Sequence, residues 1–387
     1  MSTSARTTAH LVIGGGLAGS MLGLRLAAAG REVTLLERER TAQHKVCGEF
    51  LSREAVHYLD QAGVNPLHLG AKTIGIVRLA SGRRIVESAL PFTAFSLSRC
   101  VLDEAMLNRA AQTGCDVQRG AHVESLEGSS STWRAGLRGG ASWSAPQVFL
   151  ANGKHDLRGW ERKPGTHGDL VGFKMHWRLV PAQTAALLDA IELFLFPGGY
   201  GGLSLVEGDT ANFCFVVRRA TLRATGGWPR MLAAIQADNP HIAGRLSGAQ
   251  QLWERPLAVS PIPYGHLAGR SFGLWCVGDQ AAVIPSFTGD GMSIALHSGA
   301  LAAQMFLAGQ SAEQYHRTLC AQLSRGMSLA TGISRAMVSG VGRSLAPLAV
   351  SHFPGVMSLI ARSTRIPETA MLRTSRPPLA PQPAAAR

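Results

Sequence analysis

Residues 11–37 place the tightest constraint on what this chain can fold into. An apolar run, Leu11-Val12-Ile13, leads into Gly14-Gly15-Gly16-Leu17-Ala18-Gly19, and a helical stretch then reaches Gly30. A second apolar run, Val33-Thr34-Leu35-Leu36, ends in Glu37. Strand, glycines, helix, strand and terminal acid in that order describe a βαβ unit shaped around the diphosphate of a dinucleotide. Gly14 permits the tight turn out of the strand, Gly16 lets backbone N–H groups approach the phosphates, and Gly19 lets the helix pack close to the sheet. The diphosphate rests on the positive end of the helix dipole. Glu37 is placed to accept hydrogen bonds from a ribose, and an acid there favours FAD or NAD over NADP.

The rest of the composition sets limits. With 387 residues, 46% hydrophobic and 16% charged, the chain suits a globular enzyme with a sizeable core and room for two domains. No window holds 18 uninterrupted apolar residues, and the first ten lack a signal-peptide pattern. Six cysteines (Cys47, Cys100, Cys115, Cys214, Cys276, Cys320) show neither paired nor metal-like spacing. The expectation is reduced thiols, a cytoplasmic protein and no metal. A net charge of +13 comes from scattered arginines. It reads as compositional drift or as attraction to an anionic carrier protein, a CoA thioester or a lipid surface. No basic cluster marks a nucleic-acid face.

Coarse periodicity predicts a helix from an N-cap at Ser52 to about Gln61, a hairpin over 72–90 turning at Ser81-Gly82, and a helix over 102–111. Strands dominate 169–217, with a Gly-rich turn over 197–202, and a helix follows over 228–237. The chain is mostly helical from Gly289 to about 362 and ends in a Pro/Ala-rich tail. These elements predict an α/β fold: a discontinuous Rossmann-like nucleotide-binding domain (1–70, 96–165, 266–330) with an inserted β-sheet substrate domain (71–95, 166–265). C-terminal helices over 331–375 and a disordered tail over 376–387 complete it. The apolar stretch 336–362 reads as a helical pair packed on the substrate domain, or as a lid or membrane-surface contact for a lipophilic substrate.

A second glycine signature lies at 273–297. An apolar strand runs into Gly278-Asp279, Pro285 follows, and Gly289-Asp290-Gly291-Met292 opens an apolar helix. Asp279 would accept hydrogen bonds from a ribityl chain, and the N–H groups near Gly291 and Met292 would face a ring atom that gathers negative charge. An isoalloxazine ring needs that arrangement, so the two signatures together point to FAD.

On these residues the chain resembles FAD-dependent oxidoreductases of the superfamily containing aromatic hydroxylases, geranylgeranyl reductases and flavin halogenases. Four segments match in order: Gly14–Gly19 with Glu37, Lys45-Val46-Cys47-Gly48, Ser98-Arg99 before Leu102-Asp103, and Gly278-Asp279 through Pro285 to Gly291. The resemblance implies FAD contacts from Arg99 and Asp279, a flavin neighbour in Cys47-Gly48, and a β-sheet domain over the ring. Leu17, Ala18, Arg38, Lys45, Val123, Pro285, Gly289 and Met292 complete the expected cofactor set.

Departures from the family narrow the reaction. Isoprenoid reductases carry Tyr-x-Trp-x-Phe-Pro where this chain has Glu192-Leu193-Phe194-Leu195-Phe196-Pro197. The Trp-x-Trp-x-Ile-Pro segment of the halogenases is missing, and the hydroxylase Asp-Gly pattern is altered to Asn152-Gly153-Lys154. The stretch from Phe196 to Ser204, with Glu207 and Asn212-Phe213, is similar to bacterial oxidoreductases found with polyketide and phenolic-lipid pathways. Glu192, Phe194 and Tyr200 are the expected substrate contacts. No second glycine fingerprint marks a resident nicotinamide nucleotide, so NAD(P)H is expected as a transient reductant. The resulting expectation is a monooxygenase hydroxylating a hydrophobic phenolic or polyketide-type molecule, free or linked to a carrier protein or CoA. The alternatives are a carbon–carbon double-bond reductase and a halogenase-like enzyme. His176, His44 and Glu192 are candidates for a general base, with none singled out.

Overall fold

The computed structural model describes residues 5–129, 132–269, 272–340, 342, 344 and 355–373. In chain order the first strands and helices are β1 (Ala5–Thr7), β2 (His10–Ile13), α1 (Leu17–Ala28), β3 (Val33–Glu37), β4 (Phe50–Leu51) and α2 (Arg53–Gln61). They continue as β5 (Lys72–Ser81), β6 (Arg84–Ser96), α3 (Arg99–Gln112), β7 (Asp116–Arg119), β8 (Val123–Ser129), β9 (Thr132–Leu137), β10 (Ser142–Ala145) and β11 (Gln147–Leu150). The middle of the chain adds β12 (Leu170–Arg178), α4 (Pro181–Leu187), β13 (Asp189–Phe196), β14 (Gly199–Leu205), β15 (Ala211–Arg218), α5 (Arg219–Thr225), α6 (Trp228–Asp238) and α7 (Pro240–Leu246). Short strands β16 (Gln250–Gln251), β17 (Leu257–Val259), β18 (His266–Leu267), β19 (Trp275–Cys276) and β20 (Ala282–Val283) lead to α8 (Gly291–Leu307), α9 (Ala312–Met337) and α10 (Gly355–Ser363).

Two sheets organise the site. A five-stranded parallel sheet runs β19-β11-β2-β3-β7. Its central strands are buried on both faces, which explains why their sequences are near-continuous apolar runs. Helices α1 and α8 lie together beside it. Gly299 permits that approach, because a Cβ there would come within 2.3 Å of the Ala18 carbonyl oxygen. A four-stranded sheet, β1-β10-β9-β8, flanks this unit.

The second large sheet has nine strands, ordered β16-β12-β15-β14-β13-β5-β6-β4 with β17 on β12. Register sorts its side chains cleanly. Gly172, Lys174 and His176 of β12 stand opposite Val216, Cys214 and Asn212 of β15. These in turn meet Tyr200, Gly202 and Ser204 of β14, then Leu195, Leu193 and Ile191 of β13, and Leu79 and Val77 of β5. Side chains alternate along a strand, so this set forms one face. The opposite face carries Phe173, Met175, Phe194, Phe196, Phe213 and Phe215, buried under α6 and α7.

Several local expectations meet a different structure. The glycines at 199–202 form strand β14 rather than a turn, and only Gly198 (φ 74°) turns. Gly199 and Gly201 make room for rings: a Cβ would meet Phe196 Cζ at 2.3 Å and Phe194 Cζ at 2.2 Å. Helices α4, α5 and α7 were not expected from periodicity, each being only seven residues long. Part of the stretch 336–362 and the whole tail 376–387 lie outside the described residues.

Candidate functional site

A cavity of about 290 Å³ runs between the parallel unit and the Lys174 face of the nine-stranded sheet. Its floor begins at the turn between β2 and α1. Gly14 takes φ 110°, and a Cβ on it would lie 2.4 Å from the Ala151 carbonyl oxygen. A Cβ on Gly19 would lie 1.9 Å from the Gly14 oxygen. Gly16 caps α1 with no side-chain hydrogen bond to the helix, so the first-turn N–H groups are left for a ligand. Beside it stand two cations: a Cβ on Gly16 would be 3.8 Å from Arg99 Nη2 and 3.9 Å from Lys45 Nζ. Both are anchored on buried Asp103, Arg99 through two bonds of 2.7 and 2.9 Å and Lys45 through one of 2.6 Å. Burial raises the Asp103 carboxyl, but these cations hold it below its ordinary range overall. Bare helix N–H groups flanked by two fixed cations form an anion cradle.

Glu37 braces the same turn. It accepts N–H bonds from Gly15 (2.7 Å) and Glu39 (2.9 Å). Asp279, further along the groove, pairs with Lys154 at 3.3 Å and is likewise held anionic despite burial, by Lys154 and Arg162. Beyond it, Pro285 through Gly289 wrap toward the start of α8, whose cap residue Asp290 makes no side-chain bond to the helix. The cavity opens beside Gly48 and Gly291, neither of which has any atom within 4 Å of an added Cβ. Cys47, Gly48, Gly289 and Met292 line this part.

The loop 47–49 is held from below by a buried ionic network. Glu49 sits in the left-handed region (φ 58°) and is fully buried. Its carboxylate accepts from the Arg99 N–H (2.7 Å), from the buried ammonium of Lys174 and from His176 Nε2 (3.2 Å). Burial would raise this carboxyl, yet the His176 bond and the Lys174 charge hold it below its ordinary range. Asn212 Nδ2 donates to the Cys47 carbonyl at 3.2 Å. His44 and Trp253 pack against the His176 ring. The ligand atoms of His44, Glu49 and His176 lie within 4.8 Å of one another. The other oxygen of that carboxylate, Oε1, already accepts from Lys174 and from the Arg99 N–H.

Away from the glycine turns the cavity becomes aliphatic: Val77, Leu79, Leu90, Ile191, Leu193 and Leu195 from the sheet face Ile333, Met337, Met357 and Ile360 from α9 and α10. The strap from α10 onward is tied down by Arg365, which bonds Asp290 Oδ1 at 2.7 Å and stacks on Phe92 at 4.7 Å. Tyr200 lines this chamber. Glu192 and Phe194 do not. They project from the other face of β13, where Phe194 stacks on Phe213 and Glu192 is buried against Arg245, Arg78 and His241. The alternation of β13 explains the correction, because Leu193 and Leu195 take the inward positions. That burial also removes Glu192 as a general base, and His176 is committed to Glu49. Val123 begins β8 with its side chain in a core cluster, and Arg38 is exposed and paired with Glu39.

Sequence reading passed over Glu49, Lys174, Lys154 and Arg365. For Lys174 a signal existed: Gly172, Lys174 and His176 alternate with Phe173, Met175 and Trp177, which already separates a polar face from an apolar one.

The groove fits FAD on its own geometry. Its two ends are open glycine turns at helix N-termini, two cations flank one end, and an acid, Asp279, stands between them. Comparison with known proteins agrees. Residues 7–145 match the family model described as FAD binding domain. The chain is 25% identical over 342 residues to menaquinone reductase of Mycobacterium tuberculosis, covering 83% of this chain and 81% of that protein. It is 26% identical over 316 residues to digeranylgeranylglycerophospholipid reductase 2 of Methanopyrus kandleri, covering 76% of each. Among solved structures, the fold is shared with a geranylgeranyl bacteriochlorophyll reductase-like protein of Thermoplasma acidophilum (TM-score 0.73, 18% identity, 95% of both chains). It is also shared with the myxobacterial chondrochloren halogenase (TM-score 0.75, 19% identity, 93% of this chain and 91% of that one). The chain is an FAD-dependent oxidoreductase whose residues 7–145 match the FAD binding domain.

Proposed function

We propose that this protein reduces a carbon–carbon double bond in a lipophilic small molecule, drawing electrons from NAD(P)H through its FAD. The observation that carries the reading is the chamber wall of Val77, Leu79, Leu90, Ile191, Leu193 and Leu195, which offers an alkyl chain continuous aliphatic contact and no charge. Bound FAD supplies hydride transfer. The chain's own residues do the rest. Gly16, Arg99 and Lys45 hold the diphosphate, and Asp279 receives hydroxyls of the ribityl chain. The first N–H groups of α8 stabilise charge on the ring, and the aliphatic walls exclude water.

Two further points favour reduction over the hydroxylation expected from sequence. Deprotonating a phenol needs a free base, whereas Glu49 and Asp279, the carboxylates lining the cavity, are already held by cations. The two relatives at 25–26% identity carry the names of reductases. Hydroxylation keeps its support from the likeness of residues 196–204 to oxidoreductases of phenolic-lipid pathways. Anaerobic incubation with NAD(P)H and a lipophilic alkene separates the two: a reductase turns over and yields a product two mass units heavier. Turnover that requires oxygen, with one oxygen atom added to the product, would sink the proposal.

A further inference from the structure

A reductase of this kind must deliver one proton to the substrate for each hydride. The cavity's two carboxylates cannot serve, because both are fixed as anions by cationic partners. Tyr200 is different. Its ring lines the chamber and packs edge-on to Phe287 in the loop that leads to Gly289 and Gly291, with ring centroids 6.0 Å apart. Its hydroxyl lies 3.2 Å from Ser334 Oγ, which lies 3.3 Å from His167 Nδ1. On the far side of that ring, His167 Nε2 stands 3.4 Å from Asp169 Oδ1, a carboxylate more than half exposed to solvent. Tyr200, Ser334 and His167 are all buried. Hydrogen bonds therefore join Tyr200 to His167, and the buried His167 Nε2, which has no hydrogen-bond partner among the described residues, faces Asp169 across 3.4 Å, so exchangeable groups reach from the chamber toward the surface through β14, α9 and the segment before β12.

We propose that Tyr200 is the proton donor of this cavity and that Ser334 and His167 conduct protons to it from solvent at Asp169. The assignment rests on the double-bond reductase reading above. In the step, the double bond receives a hydride from FAD, itself reduced by NAD(P)H, at one carbon. The Tyr200 Oη–H bond breaks and a C–H bond forms at the other carbon. Ser334 Oγ–H reprotonates the phenolate, His167 refills Ser334, and water refills His167. The weakness of a phenol as an acid also selects the substrate. It protonates carbon readily only where negative charge accumulates, as it does beside a carbonyl. The substrate class is thus a lipophilic molecule whose double bond is conjugated to a carbonyl group.

The test uses the FAD-loaded protein and a long-chain α,β-unsaturated methyl ketone, without oxygen and in D2O. Wild type is expected to place one deuterium, with a single stereochemistry, on the carbon next to the carbonyl. Y200F retains the tyrosine ring's packing, so FAD content and flavin absorbance serve as its folding check. Its ketone-driven reoxidation is expected to fall by about 10²–10⁴-fold, with the deuterium no longer stereospecific. S334A is expected to fall less, because water can replace the hydroxyl. A second measurement is independent of turnover. With 3-fluorotyrosine replacing the four tyrosines, the resonance lost in Y200F is assigned to position 200. That resonance is expected to shift as His167 titrates and to lose the shift in H167Q. Burial holds His167 down, with Arg218 and Arg335 adding to the effect and Asp169 opposing it. The midpoint therefore falls below the ordinary value of about 6.5. Unchanged reoxidation and stereochemistry in Y200F overturn the donor. A fluorine signal flat with pH, or unaltered by H167Q, overturns the conduction path. A wild-type protein that ignores the ketone but reduces an isolated alkene overturns the substrate class. One that turns over only with oxygen overturns the reductase reading, and the donor with it, leaving the fluorine result to stand on its own.

Discussion

At the scale of single residues, two positions decide whether the groove exists. Gly19 has no room for a methyl group, since its Cβ would sit 1.9 Å from a backbone oxygen. G19A should push α1 off the sheet and yield protein without the flavin absorbance, measurable on the purified protein. Lys174 decides the shape of the loop 47–49. K174M leaves the buried Glu49 carboxylate without its ammonium partner, a loss of about 3–5 kcal/mol in unfolding free energy, and should also weaken FAD binding. The double variant E49Q/K174M should recover part of the stability. Arg245 and Glu192 form a comparable buried pair on the opposite face of the same sheet. R245M should therefore lower stability to a similar degree while leaving FAD affinity near wild type. Equal losses of FAD affinity in both variants would mean that Lys174 is merely structural. Residues of the first kind were legible in the sequence, because a glycine required by a backbone contact sits at a fixed place in a motif. Glu49 and Lys174 were not. They meet across 125 residues, and no local pattern announces a partner so distant.

Among the elements, α8 shows how a helix can be recognised while its duties stay hidden. Its glycine start and apolar body were readable, but nothing in the sequence singles out His297 within it. In the fold, His297 Nε2 meets Gln322 at 2.8 Å, and Nδ1 accepts from Tyr58 Oη, which takes the Leu372 N–H in turn. Burial holds His297 down to about 4. The unfolded chain, with its histidine near 6.5, thus binds more protons than the native one between those values. His297 therefore adds stability that is fully present above about pH 6.5 and is lost as pH falls toward 4, by up to about 1.4 kcal/mol per pH unit. Asp290, raised to about 7 by burial, slopes the other way over much of the same range. The measurement is therefore the difference between wild-type and H297Q unfolding curves, which should narrow as pH drops from 6.5 to 4. The strands of the nine-stranded sheet tell a similar story. Their existence was legible from alternation, but β14 was misread as a turn, since its glycines answer to Phe194 and Phe196 on the neighbouring strand rather than to a local bend.

For the whole molecule, the cavity is divided by chemistry: charged and glycine-rich under the parallel unit, aliphatic under the nine-stranded sheet. The two halves should respond separately. L193W fills the chamber from the inward face of β13 and is expected to abolish turnover of long-chain substrates, with FAD affinity unchanged by fluorescence titration. The mixed α/β plan and the two glycine signatures were open to sequence reasoning because each is written in contiguous residues. The chamber was not, since it is composed by register across β5, β13 and β14 and roofed by helices from the other end of the chain. The groove draws Gly16, Arg99, Asp279 and Gly291 from separate segments and is tied at Asp290 by Arg365. A polypeptide synthesised only as far as β15 consequently lacks the parts to retain a flavin. Prosthetic-group loading waits until Arg365 has been made, and cells starved of riboflavin should accumulate a colourless form that turns yellow when the vitamin returns.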